Sequence, residues 1–305
     1  MTREELNQQK QKEIIDEENR EKRKKIIILG FKCVFTIVSC FLLFYCYTTY
    51  VSTSMMIVKE IRIVNNKIPS HFNGLKIIQF SDLHYGTTFF EKQLKNMVSE
   101  ITSRNVDLVV FTGDLIDKNY DATVEDIELI SNYFKKINAT LGKYGVSGEE
   151  DNEIFTTILN QGGFTILNND YELVYKNNNK PILITGLDSK LKGLQNIDEG
   201  FSYFNTEGFN SNIFVISLAH EPDSIINILE KYNSDLVLSG HSHNGNIRIP
   251  YIGALSKVEG ALKYDQEYYE IDNTQLFISS GMGTNGPGFR LFCRPSINFF
   301  RLSSN

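Results

Sequence analysis

Three regimes of polar and apolar residues follow one another along the chain. Residues 1 to 25 are almost wholly polar and charged, from Arg3-Glu4-Glu5 to Glu21-Lys22-Arg23-Lys24-Lys25, with too few apolar side chains to build a core. They read as a disordered or solvated helical tail. From Ile26 to Tyr47 only Lys32 interrupts an apolar run, which at ~1.5 Å per residue is long enough to cross the ~30 Å hydrocarbon layer. This predicts a transmembrane helix over residues 26–50, with the Lys32 ammonium reaching back toward the headgroups. A cleaved signal peptide would need an Ala-x-Ala-like site after a shorter apolar block; none is present, and the reading is an uncleaved anchor.

From Lys59 onward short β-type runs alternate with helical spacing, the mark of an α/β domain over residues 59–305. Strand-like runs cover 75–80, 106–111 and 143–147, then 164–167, 172–175 and 182–185 around Asn-rich turns such as Lys176–Lys180, then 213–218 and 235–239. Leu94, Met97, Val98 and Ile101 fall at helical spacing, as do Val124, Ile127, Ile130, Phe134 and Ile137. Pro222 suits the first turn of a further helix.

A polar cluster stands at the end of strand after strand. Asp82-Leu83-His84, Gly113-Asp114, Gly148-Glu149-Glu150-Asp151, Ala219-His220-Glu221 and Gly240-His241-Ser242-His243-Asn244-Gly245 each follow an apolar run. Four of the five histidines stand in this context; the fifth, His71, lies in a polar connector and reads as surface. One such cluster is ordinarily a turn or a helix cap. Their recurrence places Asp82, His84, Asp114, Glu149, His220, His241 and His243 on neighbouring loop ends, a mixed oxygen and nitrogen set larger than one tetrahedral ion requires. Two divalent ions sharing a carboxylate is the economical arrangement, and without thiolates the donors suit manganese, zinc or iron alike.

Charge and cysteines narrow the partners. Acids outnumber bases 37 to 31, a net charge of −6, which argues against a nucleic-acid binder. Basic residues crowd positions 20–25 and thin out after the apolar run, so the positive-inside rule puts the N-terminus in the cytoplasm and the domain outside the cell membrane. Cys33, Cys40 and Cys46 lie in the apolar run and Cys293 stands alone in the domain, so no disulfide within the domain is available. Nothing indicates a protein partner.

These ordered motifs resemble those of the calcineurin-like metallophosphoesterases. The stretch Gly240–Leu255, with Asn246–Pro250 and Ile252-Gly253, and the closing segment Ser280–Thr284 to Phe289–Pro295 resemble its bacterial membrane- or wall-associated phosphodiesterase branch. The resemblance implies a four-layer αββα sandwich, two mixed sheets flanked by helices. It implies that Asp82, His84, Asp114 and His243 hold one divalent metal ion, with Asp114 bridging to a second completed by Glu149, His220 and His241. It further implies hydrolysis of phosphate esters by in-line attack of a water ionised between the ions.

The family's usual Gly-Asn-His-Asp/Glu motif reads Gly148-Glu149-Glu150-Asp151 here. An amide ligand becomes a carboxylate, and the histidine that assists the leaving group is replaced. The added charge favours a phosphodiester monoanion over a monoester dianion. A protonated Glu150 is a candidate acid beside Asp114; the alternative is a membrane-anchored binding protein that keeps metal and fold without catalysis. A closed structural metal site in an adhesion module is a third reading, opposed by the positions that seven ligands leave open on two ions. Arg290 is either a phosphate contact or a support for the histidine loop through backbone carbonyls. A phospholipid or envelope glycolipid phosphate as substrate, and the bilayer as partner of the helix, fit the anchor.

Overall fold

The computed structural model describes residues 2–177, 179–286 and 288–304. The expected tail, the Lys176–Lys180 turn, the closing segment and the end of the domain each include one residue outside that set: Met1, Asn178, Pro287 and Asn305. The chain divides into two compact units, Met1–Thr48 and Thr49–Asn305.

The first unit is one helix, α1 (Arg3–Cys46), in which no residue is buried. Thr2 caps it: its hydroxyl accepts from Glu5 N while Glu5 Oε2 accepts from Thr2 N at 2.7 Å. Of the two readings for the charged tail, the helical one holds. With the wider turn Tyr47–Val51 it forms a helix long and apolar enough to cross a membrane, as length and composition require.

The second unit opens with β1 (Ile57–Val64), β2 (Lys76–Phe80), α2 (Glu91–Ser103), β3 (Leu108–Thr112), α3 (Val124–Lys135), β4 (Lys143–Val146), α4 (Glu153–Gly162) and β5 (Thr165–Ile166). It continues with β6 (Asp170–Val174), β7 (Ile182–Gly186), α5 (Ile197–Gly200), β8 (Val215–Leu218), α6 (Ser224–Lys231) and β9 (Leu236–Ser239). A small hairpin of β10 (Arg248–Ile249) and β11 (Gly253–Ala254) precedes β12 (Tyr268–Ile271), β13 (Thr274–Ile278) and β14 (Ser296–Ser303). Two six-stranded mixed sheets result, ordered β1-β14-β2-β3-β4-β5 and β12-β13-β9-β8-β7-β6.

Period-2 alternation explains the layers. In β2 and β3, Ile77, Leu108 and Val110 face the second sheet and meet Ile184, Ile216 and Leu238 there. Their neighbours Ile78, Val109 and Phe111 face outward onto Leu94, Met97 and Ile101 of α2, Phe134 of α3 and Phe155 of α4. On the far side Leu183 and Val215 pack with Ile228 of α6, and Val237 with Ile225. Strands covered on both faces carry unbroken apolar runs, which is why these central strands stand out in the sequence. The result is the αββα sandwich, with β2, β3, β4, β7, β8, β9 and β13 sending their C-terminal ends toward the polar loops.

Candidate metal centre

Five of those loops meet. β2 delivers Asp82 and His84, β3 Asp114, β4 Glu149 to Asp151, β8 His220, and β9 His241 and His243. Asp82, His84, Asp114, His241 and His243 have φ of 51°, 40°, 58°, 65° and 46°, left-handed backbone that costs a non-glycine residue on the order of 1–3 kcal/mol and concentrates at functional sites. Gly113 is needed as glycine: its φ is 92°, and a Cβ there would stand 2.5 Å from His220 Nδ1.

All seven expected ligands come together. Asp82, His84 and His243 form one group, and Asp114, Glu149, His220 and His241 another, each with its candidate ligand atoms within 4.8 Å of one another. Asp114 stands between them, Oδ2 lying 3.7 Å from His84 Nε2 and 3.2 Å from His220 Nε2. Nε2 of His84 and of His243 are 3.0 Å apart, and Glu149 Oε2 lies 2.9 Å from His220 Nε2 and 3.0 Å from His241 Nδ1.

The outer nitrogens of three imidazoles have partners that fix which nitrogen faces inward. His220 Nδ1 donates to Thr112 O at 2.6 Å, His241 Nε2 to Glu259 O at 2.6 Å, and His84 Nδ1 to Glu150 Oε2 at 3.1 Å. Asp82 Oδ1 accepts from His241 N at 2.9 Å, tying the β9 loop to the β2 loop.

The site is dense in anionic charge. Burial alone would lower the pKa of His84, but its bond to Glu150 and the charges of Asp114 and Asp82 raise it to about 9. His220 is raised well above an ordinary histidine against the same burial cost by Asp114 and Glu149. Burial would raise Glu149, but the imidazoles of His220 and His241 beside its Oε2 outweigh that and hold it far below the carboxylate range. His243 goes the other way: burial, then the charges of His84 and Arg290, keep it neutral. Imidazoles that anionic neighbours make basic are sites where a divalent cation competes with protons. Asp82 Oδ2, Glu149 Oε2 and His220 Nε2 are buried and have no hydrogen-bond partner, so donor chemistry and orphaned atoms both fit divalent ions.

Two further assignments take a definite shape. Glu150 is an ionised acceptor: burial opposes this, but His84 and the backbone N–H of Lys118 lower its pKa. It also meets Lys118 Nζ at 3.1 Å and accepts from Asn285 Nδ2 at 3.2 Å, and these surroundings differ from those that would keep a carboxyl protonated. Arg290 is wholly buried and donates to Ser280 O at 2.7 Å, Gly281 O at 3.2 Å, Cys293 O at 3.3 Å and Gly283 O, its tip 3.4 Å from His243 Nδ1. That is the loop-support geometry, directed at His243 and not at His241. His71 is half-buried and bonds Lys180 O through Nε2 at 2.9 Å.

Sequence reasoning passed over Asp151. Its carboxylate accepts from Asp114 N, Gly148 N and Leu115 N, each at 2.8 Å, and so pins the β3 and β4 loops together. Its place at the acidic end of the Gly148–Asp151 motif was the available signal. Asp117, buried with Oδ2 3.9 Å from His84 Nδ1, was signalled by its spacing after Asp114. The carbonyls of Thr112 and Glu259 had no signal, because every residue has one.

The calcineurin-like phosphoesterase family model matches residues 75–245. The chain is 31% identical over 265 residues to the uncharacterized metallophosphoesterase YkuE of Bacillus subtilis, covering 85% of this chain and 90% of that protein. It is 28% identical over 255 residues to an uncharacterized metallophosphoesterase of Campylobacter jejuni, covering 80% of this chain but 63% of that longer protein. It is 25% identical over 288 residues to the UDP-2,3-diacylglucosamine pyrophosphatase LpxG of Chlamydia muridarum, covering 76% of this chain and 84% of that protein. Most of the matched family domain is the very stretch that carries the converging loops, and the chain belongs to the calcineurin-like phosphoesterases, a family of metal-dependent hydrolases acting on phosphate esters.

Proposed function

We propose that this chain is a membrane-anchored, two-metal phosphodiesterase-type hydrolase acting on an amphiphilic phosphate ester, with its N-terminus cytoplasmic and its catalytic domain outside. The reading rests on a cavity of about 480 Å³ beside the ligand loops. Its lining combines Glu149, His241, His243 and Asn285 with the apolar Leu191, Ile247, Leu255, Val258 and Phe289. Such a cavity suits a phosphate at one end and a hydrocarbon at the other. The Chlamydia relative, named for a diacylated sugar nucleotide, is in keeping with a phospholipid or envelope glycolipid phosphate.

Asp82, His84, Asp114 and His243, with Glu149, His220 and His241 sharing Asp114, would hold two divalent ions. Such ions supply Lewis acidity at phosphoryl oxygens and a water of lowered pKa. The chain's own part is orientation: Thr112, Glu259 and Glu150 hold three imidazoles with the ligating nitrogen inward, and burial, with the charges of His84 and Arg290, keeps His243 neutral. Glu149 adds a full negative charge to the site that an incoming phosphate enters. Bis-nitrophenyl phosphate is therefore expected to exceed nitrophenyl phosphate in kcat/KM by about tenfold, the size of one extra charge repelled at ~10 Å through an effective dielectric near 20. A monoester hydrolysed faster than the diester would remove the preference from the proposal.

Glu150 fits a positioning residue for His84. Glu150→Gln is then expected to weaken metal binding and lower turnover together, by about 10- to 100-fold as for outer-shell partners of metal ligands. Metal affinity measured by titration decides: unchanged affinity with lost turnover would return Glu150 to the role of acid. The ionised state of Glu150 also favours the second reading, a metal-binding protein without efficient catalysis. Full metal occupancy with no turnover, and turnover gained on Glu150→His, would mark that outcome.

A further inference from the structure

A group of large apolar side chains stands in solvent next to the cavity. Tyr251 is fully exposed, Ile252 is 73% exposed and Phe292 67%, with Leu255 and Leu262 also more than half exposed. Contiguous apolar exposure of this kind marks an interaction surface. Tyr251 and Ile252 form the turn between β10 and β11, and Phe292 lies beside it, joined by the bond from Arg248 N to Leu291 O at 3.0 Å. Tyr251 has φ of 68° and Phe292 of 56°, rare for bulky residues, so the backbone bears strain that displays two aromatic rings outward.

The occupant follows from where this lobe is tied. Arg294 Nε donates to Met55 O at 2.9 Å and Ile57 N to Pro295 O at 2.9 Å, so the segment carrying Phe292 is fastened to the stretch leaving the apolar helix. That helix ends at Val51, four residues before Met55, a span of at most ~14 Å even when fully extended. From Asn246 to Val258 there is no acidic residue, and the two basic ones, Arg248 and Lys257, are both paired with Asp265, at 3.2 and 3.0 Å, so the tip carries no unpaired charge to keep it out of lipid. Exposed aromatic and aliphatic side chains of this kind suit the headgroup region of a bilayer.

We infer that the β10–β11 turn and Phe292 dip into the lipid surface from which the anchor emerges. The cavity wall of Ile247, Leu255 and Val258 thereby continues into the membrane, and an acyl-bearing phosphate ester can enter without crossing water. This extends the proposed phosphodiesterase reading, although the docking itself does not depend on catalysis.

The chain has no tryptophan, so one introduced indole reports alone. Full-length Tyr251→Trp is reconstituted in phosphatidylcholine–phosphatidylglycerol vesicles with and without brominated acyl chains. Tyr175→Trp is the control, since Tyr175 is exposed and follows β6 at the opposite end of the sheet. Blue-shifted emission, quenched by brominated lipid at 251 and not at 175, is the expected result. Equal, unquenched emission at both positions would overturn the inference. So would a blue shift at 251 that grows with protein concentration and ignores bromine, because a second copy would then cover the face. In the combined Tyr251→Ser, Ile252→Ser, Phe292→Ser variant, turnover of bis-nitrophenyl phosphate is expected to persist while that of a vesicle-borne phospholipid is lost. If wild type turns over neither, the catalytic reading fails and the quenching result stands by itself.

Discussion

Asp114→Asn is expected to abolish phosphoesterase turnover while leaving the fold in place. Asp114 is buried between the two ligand groups, 3.7 Å from His84 Nε2 and 3.2 Å from His220 Nε2. Its Oδ1 accepts from Glu150 N at 3.0 Å, an acceptor role that an asparagine carbonyl oxygen keeps. Asparagine also tolerates the left-handed backbone that Asp114 adopts at φ of 58°. What disappears is the charge. Burial resists ionisation of Asp114, but the charge of His220 beside it holds it ionised. Losing the anion that stands between the two groups is expected to remove several kcal/mol of electrostatic stabilisation, about 10³-fold or more in kcat. Steady-state kinetics beside a thermal melt would check this. A variant within about tenfold of wild type, with the same metal requirement, would remove Asp114 from the centre of the chemistry.

The largest stability effect is expected at Asp151, which touches no substrate. Asp151→Ala deprives three buried N–H groups, of Asp114, Gly148 and Leu115, of their acceptor. At about 1–3 kcal/mol for each unsatisfied donor, some offset by relaxation, the loss is about 3–5 kcal/mol, or on the order of 10 °C in Tm for a domain of this size. Burial and the charge of Asp114 push Asp151 up to about 7 although backbone donors oppose them. A pKa raised on folding stabilises most below the unfolded value and loses that contribution as pH rises through the folded one. The gap between wild type and variant is therefore wider near pH ~5 than near pH ~8. Melts that agree within about 2 °C would show the two loops held by other means.

The sequence disclosed the strands that both faces bury and concealed those at the margins. Ile77-Ile78, Leu108–Phe111, Ile182–Ile184 and Leu236–Leu238 are near-continuous apolar runs because helices cover one side and the other sheet the other. β1 went unseen since Lys59, Glu60 and Arg62 interrupt its alternation at a sheet edge. β14 went unread because nothing in Ile297–Leu302 says which strands it joins. α4 was missed although Ile154, Phe155, Ile158 and Leu159 have helical spacing; the motif before it drew attention to chemistry instead. The ligands were legible because carboxylates and imidazoles after apolar runs are uncommon as a set. Arg290 was not, because a guanidinium reads alike whether it awaits a phosphate or is spent on carbonyls.

The pairing of β1 with β14, parallel and from Ile57↔Ser296 to Val64↔Ser303, constrains how the protein is made. Among the described residues, the strand that follows the apolar helix pairs with one strand alone, and that strand is synthesised about 230 residues later, nearly the whole length of the domain. Until Ser296–Ser303 has emerged, β2 also lacks the partner on its β1 side, and the first sheet stays open. The domain therefore cannot close segment by segment behind the ribosome, and the exposed edge must be kept from pairing with other chains meanwhile. Lys59, Glu60 and Arg62, the charges that hide β1 in the sequence, are suited to that guard duty. A chain stopped short of Ser296 would remain an open, protease-sensitive sheet.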